Sequence, residues 1–156
     1  LIPGAMIEVP AAALMADTIM PHLDFVSIGT NDLTQYTMAA DRLSPQLAYL
    51  TDPWQPAVLR LIQHTCVVGG DNNVPVGVCG EAAADPMLAA VLTGLGVNSL
   101  SAASTAVAGV GAQLAELTLE DCQKIAAAAV SCEGPSEARE KVREFIEDLS
   151  RPAADN

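Results

Sequence analysis

Five side chains within the first 80 residues stand at or just after the ends of short apolar runs, and together they make a chemical set. Glu8 follows Ala5-Met6-Ile7. Asn31 and Asp32 follow Phe25-Val26-Ser27-Ile28-Gly29-Thr30, and Arg42 closes the same stretch. Cys79 ends the run Val76-Gly77-Val78 and is followed by Gly80 and Glu81. Glu8 and Asp32 are hard oxygen donors. Two carboxylates, water and a substrate oxygen suit Mg²⁺, which keeps much of its hydration and rarely takes a full protein cage. Asn31 can donate to an anionic oxygen, and Arg42 can fork two donors onto a phosphate or carboxylate. A thiol at Cys79 can supply a proton. The same residues admit plainer readings: Glu8 as a helix cap, Asp32 as a turn residue, Arg42 in a surface ion pair, Cys79 as a buried inert thiol. Spacing alone therefore reaches a metal-assisted site for a small anionic molecule.

The elements that position these groups alternate. Residues 4–10 read as a short buried strand and 11–19 as a helix. Residues 24–29 are a second strand, with a helical stretch after Asp32. Pro56 opens a helix carrying Val58, Leu59 and Ile62 at helical spacing. GGDNN, 69–73, reads as a turn. Residues 74–80 form a third strand, Asp85-Pro86 opens a helix to about Leu92, and 98–102 are a weaker fourth strand before a small-residue helix. Thr118 and Asp121 form a capping box ahead of a stripe of Cys122, Ile125, Ala126 and Ala129. A Gly134-Pro135 break starts the last helix, with Val142, Phe145, Ile146 and Leu149 as its apolar face. Glu137, Arg139, Glu140, Lys141, Arg143, Glu144 and Glu147 read as its solvated surface. The tail from Pro152 reads as frayed.

Four βα units with nearly continuous apolar strands mean a parallel sheet covered by helices. Two architectures compete, an open doubly wound sheet and part of a (β/α)₈ barrel. A whole barrel takes about 250 residues, so 156 residues hold about half of one. In either fold, functional groups gather at the carboxyl ends of the strands, which here are Glu8, the segment 29–32, the segment 79–81 and Ser101 to Ser104.

Composition narrows the partners. The net charge of −12 argues against a nucleic-acid or anionic-membrane surface. No apolar run approaches the roughly 18 residues of a membrane span, which argues against insertion. With aromatics at only 3%, aliphatic residues must fill the core. The four cysteines, Cys66, Cys79, Cys122 and Cys132, have no CxxC spacing, so a structural zinc site is not expected and most read as small buried residues. His22 and His64 lie away from the strand ends and read as structural or exposed. A reducing, cytoplasmic setting fits this usage.

The wording SIGTNDLTQYT followed by DR, with GAMIEVPAA upstream and VGVCGE downstream, closely resembles enzyme I of the bacterial phosphoenolpyruvate:sugar phosphotransferase system. The resemblance covers nearly the whole chain, including WQPAVLRLI and the final helices. It implies the C-terminal part of a (β/α)₈ barrel that binds phosphoenolpyruvate (PEP) and Mg²⁺ and forms a homodimer. A histidine carried elsewhere takes the phosphoryl group and passes it to the carrier protein HPr. Carried over, Glu8 and Asp32 would hold Mg²⁺, Asn31 and Arg42 would grip the phosphoryl group, and Cys79 would protonate C3 of the enolate to give pyruvate. The phosphohistidine motif is absent, and so are the earlier strands with the family's other arginines. The expectation is therefore strands five to eight plus C-terminal helices, residues 1–151 with a tail of 152–156, inactive alone.

Small departures stand at Ala84, where the family usually has glycine, at Leu100, where methionine is common, and in the GGDNN segment. The pyruvate, phosphate dikinase and PEP synthase barrels share GTNDLTQ and CGE, but Tyr36 and Ala40-Asp41-Arg42 favour enzyme I. A non-catalytic dimerisation module is the reading from another class, and a lyase of the same superfamily is more distant.

Overall fold

The computed structural model describes residues 1–150, so the expected tail, 152–156, lies outside the described residues. Four strands, β1 Gly4–Ile7, β2 Phe25–Gly29, β3 Val76–Cys79 and β4 Ser99–Ser101, form one parallel sheet in the order β1-β2-β3-β4. The helices between and after them are α1 Pro10–Leu14, α2 Ala16–Ile19, α3 Thr30–Thr37, α4 Pro56–Asn72, α5 Pro86–Gly94, α6 Ser104–Ala115, α7 Leu119–Val130 and α8 Pro135–Ser150.

The pleat decides between the two architectures. One row across the sheet is Ile7, Ile28, Val78 and Leu100, and the next equivalent row holds Val26 and Val76. Of these, Leu100 is half-buried and the others are buried. They pack with Met20 of a 3₁₀ turn, Leu59 and Ile62 of α4, Leu88 and Leu92 of α5, and Ile125 of α7. The opposite face carries Met6, Ser27, Gly77 and Ser99, with Phe25 lying over Gly4, and it stays open or half-covered. A doubly wound sheet reverses its strand order and covers both faces. Sequential order with helices on one face is an arc of a (β/α)₈ barrel, its inner face exposed.

Four local readings are corrected. The first helix is interrupted at Met15 (φ −98°, ψ 21°), which splits it into α1 and α2. GGDNN is not a turn: α4 continues through Gly69–Asn72, and the stop comes at Asn73 in the left-handed region (φ 57°, ψ 34°). The Val74 N–H donates to the Gly69 carbonyl and the Asn73 N–H to Gly70, a Schellman closure that satisfies the last carbonyls of the helix. On α8, Val142 is buried and Phe145 and Ile146 are half-buried, but Leu149 is exposed. Arg139 is not simply solvated, since it lies over the Trp54 ring and pairs with Asp52.

Other expectations hold. Asp85 caps α5 by accepting from the Met87 and Leu88 N–H groups. Thr118 and Asp121 make the full capping box of α7, whose stripe Cys122, Ile125, Ala126 and Ala129 is buried. His22 and His64 are exposed.

Candidate active site

The strand register assembles the chemistry. Gly29 pairs with Cys79 and Cys79 with Ser101, one row at the carboxyl ends of β2, β3 and β4. Glu8, one residue past the Ile7–Ile28 pair, extends this row to β1. A methyl group built on Gly29 would lie 3.2 Å from Glu8 Cβ and 3.3 Å from its Oε2, so the carboxylate leans over the end of β2. Sequence reading put the helix after Asp32, whereas α3 begins at Thr30, directly on the strand end. Asn31 and Asp32 therefore sit in its first turn. No side chain caps that turn, so its N–H groups and the positive end of the helix face the rim.

Met6, Glu8, Gly29, Thr30, Asn31, Asp32, Arg42, Cys79 and Gly80 enclose a cavity of about 130 Å³. All five candidate residues are among them. A second cavity of about 270 Å³ shares Asn31 and Arg42 and adds Leu43, Thr51 and Glu81. A cavity of about 330 Å³ between β4, α5 and α6 is mostly apolar and carries no titratable group, whereas the smaller rim cavity is lined by Glu8, Asp32, Arg42 and Cys79. Ser101 and Ser104 line neither of the two rim cavities.

Each group is held. The Thr30 hydroxyl donates to the Cys79 carbonyl at 2.9 Å, and the Glu81 N–H donates to Asn31 Oδ1 at 3.2 Å. With its oxygen engaged, the Asn31 amide keeps its NH₂ as a donor. The Cys79 thiol donates to the Ile28 carbonyl at 3.5 Å. Arg42 is fixed through its backbone, whose N–H donates to Gln35 Oε1 at 3.1 Å. Its guanidinium lies 3.9 Å from Asp32 Oδ1, a long half-exposed pair that leaves it free to turn to another anion.

The other thiols are unsuited to chemistry. Burial pushes the Cys66 thiol up to about 12, and it also raises Cys122 and Cys132, helped by Asp121 and Glu137 respectively. Sequence reading missed Met6, Gln35 and Thr51. Gln35, in the same run as Asn31 and Asp32, carried a weak signal; Met6 and Thr51 carried none.

The family described as PEP-utilising enzyme, PEP-binding domain, matches residues 2–119. The chain belongs to this family. It is similar to the phosphoenolpyruvate-protein phosphotransferase of Streptomyces coelicolor, 50% identical over 136 residues, which are 87% of this chain and 24% of that protein. The protein of the same name from Bacillus sp. (strain S) is 47% identical over 122 residues, 78% of this chain and 21% of that protein. The multiphosphoryl transfer protein of Rhodobacter capsulatus is 47% identical over 136 residues, 87% and 16%. The chain thus spans about a quarter or less of these relatives. Within this PEP-binding domain, the match takes in all four strands and every residue of the rim. Among the described residues no helix is long and apolar enough to cross a membrane, and no three His, Cys, Asp or Glu side chains converge as a metal cage.

Proposed function

We propose that this chain forms the catalytic rim of a PEP–protein phosphotransferase, which moves the phosphoryl group of PEP to a protein histidine carried elsewhere and on to HPr, releasing pyruvate in the cytoplasm. The observation that carries this reading is the gathering of Glu8, Asn31, Asp32, Arg42 and Cys79 around one small cavity.

Charge supports a metal. The cavity lining has two carboxylates and one cation, Arg42. A phosphate ester with a carboxylate would meet net repulsion there unless a divalent cation joined it. Two hard carboxylates at one rim fit Mg²⁺, with water and substrate oxygens filling its remaining positions. Bound there, Mg²⁺ would neutralise charge on the phosphoryl oxygens.

The chain's own groups do the rest. Arg42 turns from Asp32 onto the phosphoryl oxygens, and the NH₂ of Asn31 and the first-turn amides of α3 donate to the same group. Phosphoryl transfer asks mainly for such positioning and charge neutralisation. As the P–O bond breaks, its electron pair stays on the enolate oxygen. The enolate carbonyl then re-forms, and C3 takes the proton of the Cys79 thiol. A C–H bond replaces an S–H bond, and the thiolate recovers its proton from water. The Thr30 tie on the Cys79 carbonyl keeps the thiol aimed at the cavity while this happens.

A polypeptide in which this chain replaces the matching segment of the Streptomyces coelicolor relative should transfer phosphate from PEP to HPr and should not make ATP from PEP. A folded hybrid that transfers no phosphate from PEP to HPr would contradict this reading. The isolated chain exposes Met6 and Phe25 on an open sheet face and leaves β1 and β4 as sheet edges. It should form a homodimer. A well-folded monomer at micromolar concentration in light scattering would contradict this.

A further inference from the structure

We infer that Arg139, on α8, is a positioning residue that latches the 43–55 segment forming the outer wall of the PEP site. The inference rests on the function proposed above and deepens it. Helix α8 lies beyond residues 2–119, where the family match ends.

The latch is a connected set of contacts. Arg139 Nη2 donates to both oxygens of Asp52, at 3.1 and 3.2 Å, and the guanidinium lies 5.5 Å from the ring centre of Trp54. Asp52 Oδ1 also accepts from the Trp54 N–H at 3.0 Å. Trp54 is fully buried, and its Nε1–H donates to Asp85 Oδ2 at 3.0 Å while Asp85 Oδ1 caps α5. The Gln55 side chain then donates to the carbonyls of Tyr49 and Leu50, tying the segment back on itself.

The larger rim cavity lies between the two strands of chain that this network joins. Arg42, Leu43 and Thr51 come from one side; Glu81, the first residue of the 3₁₀ turn Glu81–Ala84 that leads into Asp85, comes from the other with Asn31. The Trp54–Asp85 bond sets the spacing of these walls, and Arg139 holds the Asp52–Trp54 corner against them. A guanidinium is suited to the task because it can stack on an indole and bond a carboxylate together. Glu8 and Asp32 sit at the other end of the rim, outside the latch.

The test uses Arg139→Met, which keeps the apolar stem. Amides of residues 43–55 should exchange hydrogen about tenfold faster, with β1 and β2 unchanged, the size expected for losing a half-exposed charged hydrogen bond. In the Streptomyces hybrid, KM for PEP should rise by a similar factor while the Mg²⁺ concentration giving half-maximal rate stays put. Arg139→Met should add little on an Arg42→Ala background. Unchanged exchange in 43–55, equal acceleration throughout the chain, or faster exchange with an unchanged KM would each overturn the inference. If the parent hybrid turns over no PEP, the proposed function fails, and the exchange result alone decides whether Arg139 is the latch.

Discussion

Replacing Cys79 with alanine should lower pyruvate formation about 10²- to 10⁴-fold, the usual worth of a positioned general acid. KM for PEP should change little, because the groups proposed to hold the phosphoryl group and the metal are left in place. The selectivity of this effect comes from the fold. Cys79 is the cysteine that ends a strand at the rim, while burial raises the thiols of Cys66, Cys122 and Cys132 and keeps them inert. Alanine at any of those three should leave turnover near that of the parent once the protein folds. The check is steady-state kinetics of the Streptomyces hybrid with PEP and HPr. A Cys79→Ala protein with parental turnover would remove the thiol from the mechanism.

The second large effect is expected at Gly80. Its backbone (φ 102°, ψ −169°) lies in a region that only glycine enters without strain. A methyl group there would meet Thr30 Oγ1 at 2.7 Å and Asn31 Oδ1 at 3.0 Å. Those atoms hold Cys79 and Glu81 in place. Gly80→Ala should therefore cost about 1–3 kcal/mol in strain, with the displaced Thr30 and Asn31 adding to it. For a chain of this size each kcal/mol is roughly 2–4 °C in Tm. The substitution should also weaken PEP binding, since Asn31 is both the group pushed and a proposed hydrogen-bond donor to the phosphoryl group. A thermal melt with an unchanged midpoint would show that the Gly80 conformation is not required.

β1, β2 and β3 were legible because each is a short, largely apolar run that ends at a glycine or a polar cluster, and the rim followed from them; β4, Ser99-Leu100-Ser101, carried a weaker signal. Once β1, β2 and β3 were placed, Glu8, Asp32 and Cys79 had to share one edge of a parallel sheet. Choosing between barrel and doubly wound sheet was a different matter. That choice rests on neighbour order and on which face is covered, and neither has a local signature; resemblance supplied it at the sequence level.

GGDNN misled because paired glycines with Asp and Asn usually mark a turn, while the helix ends through one left-handed residue, Asn73, at the end of that run. Arg139 was hidden for a related reason. On a helix dense in charge its spacing matches a solvated face, and only the distant Trp54–Asp52 corner gives it a partner. Gln35 and Thr51 act through a backbone bond and a loop path, which residue type does not announce.

The most direct measurement is calorimetric titration of this chain with PEP, with and without Mg²⁺, and with Asp32→Ala alongside. If the ends of β1, β2 and β3 themselves form the metal and phosphoryl part of the site, saturable binding appears only with Mg²⁺ and disappears in Asp32→Ala. Binding of equal strength without Mg²⁺ or in the variant, or no saturable heat in any arm, would contradict that claim.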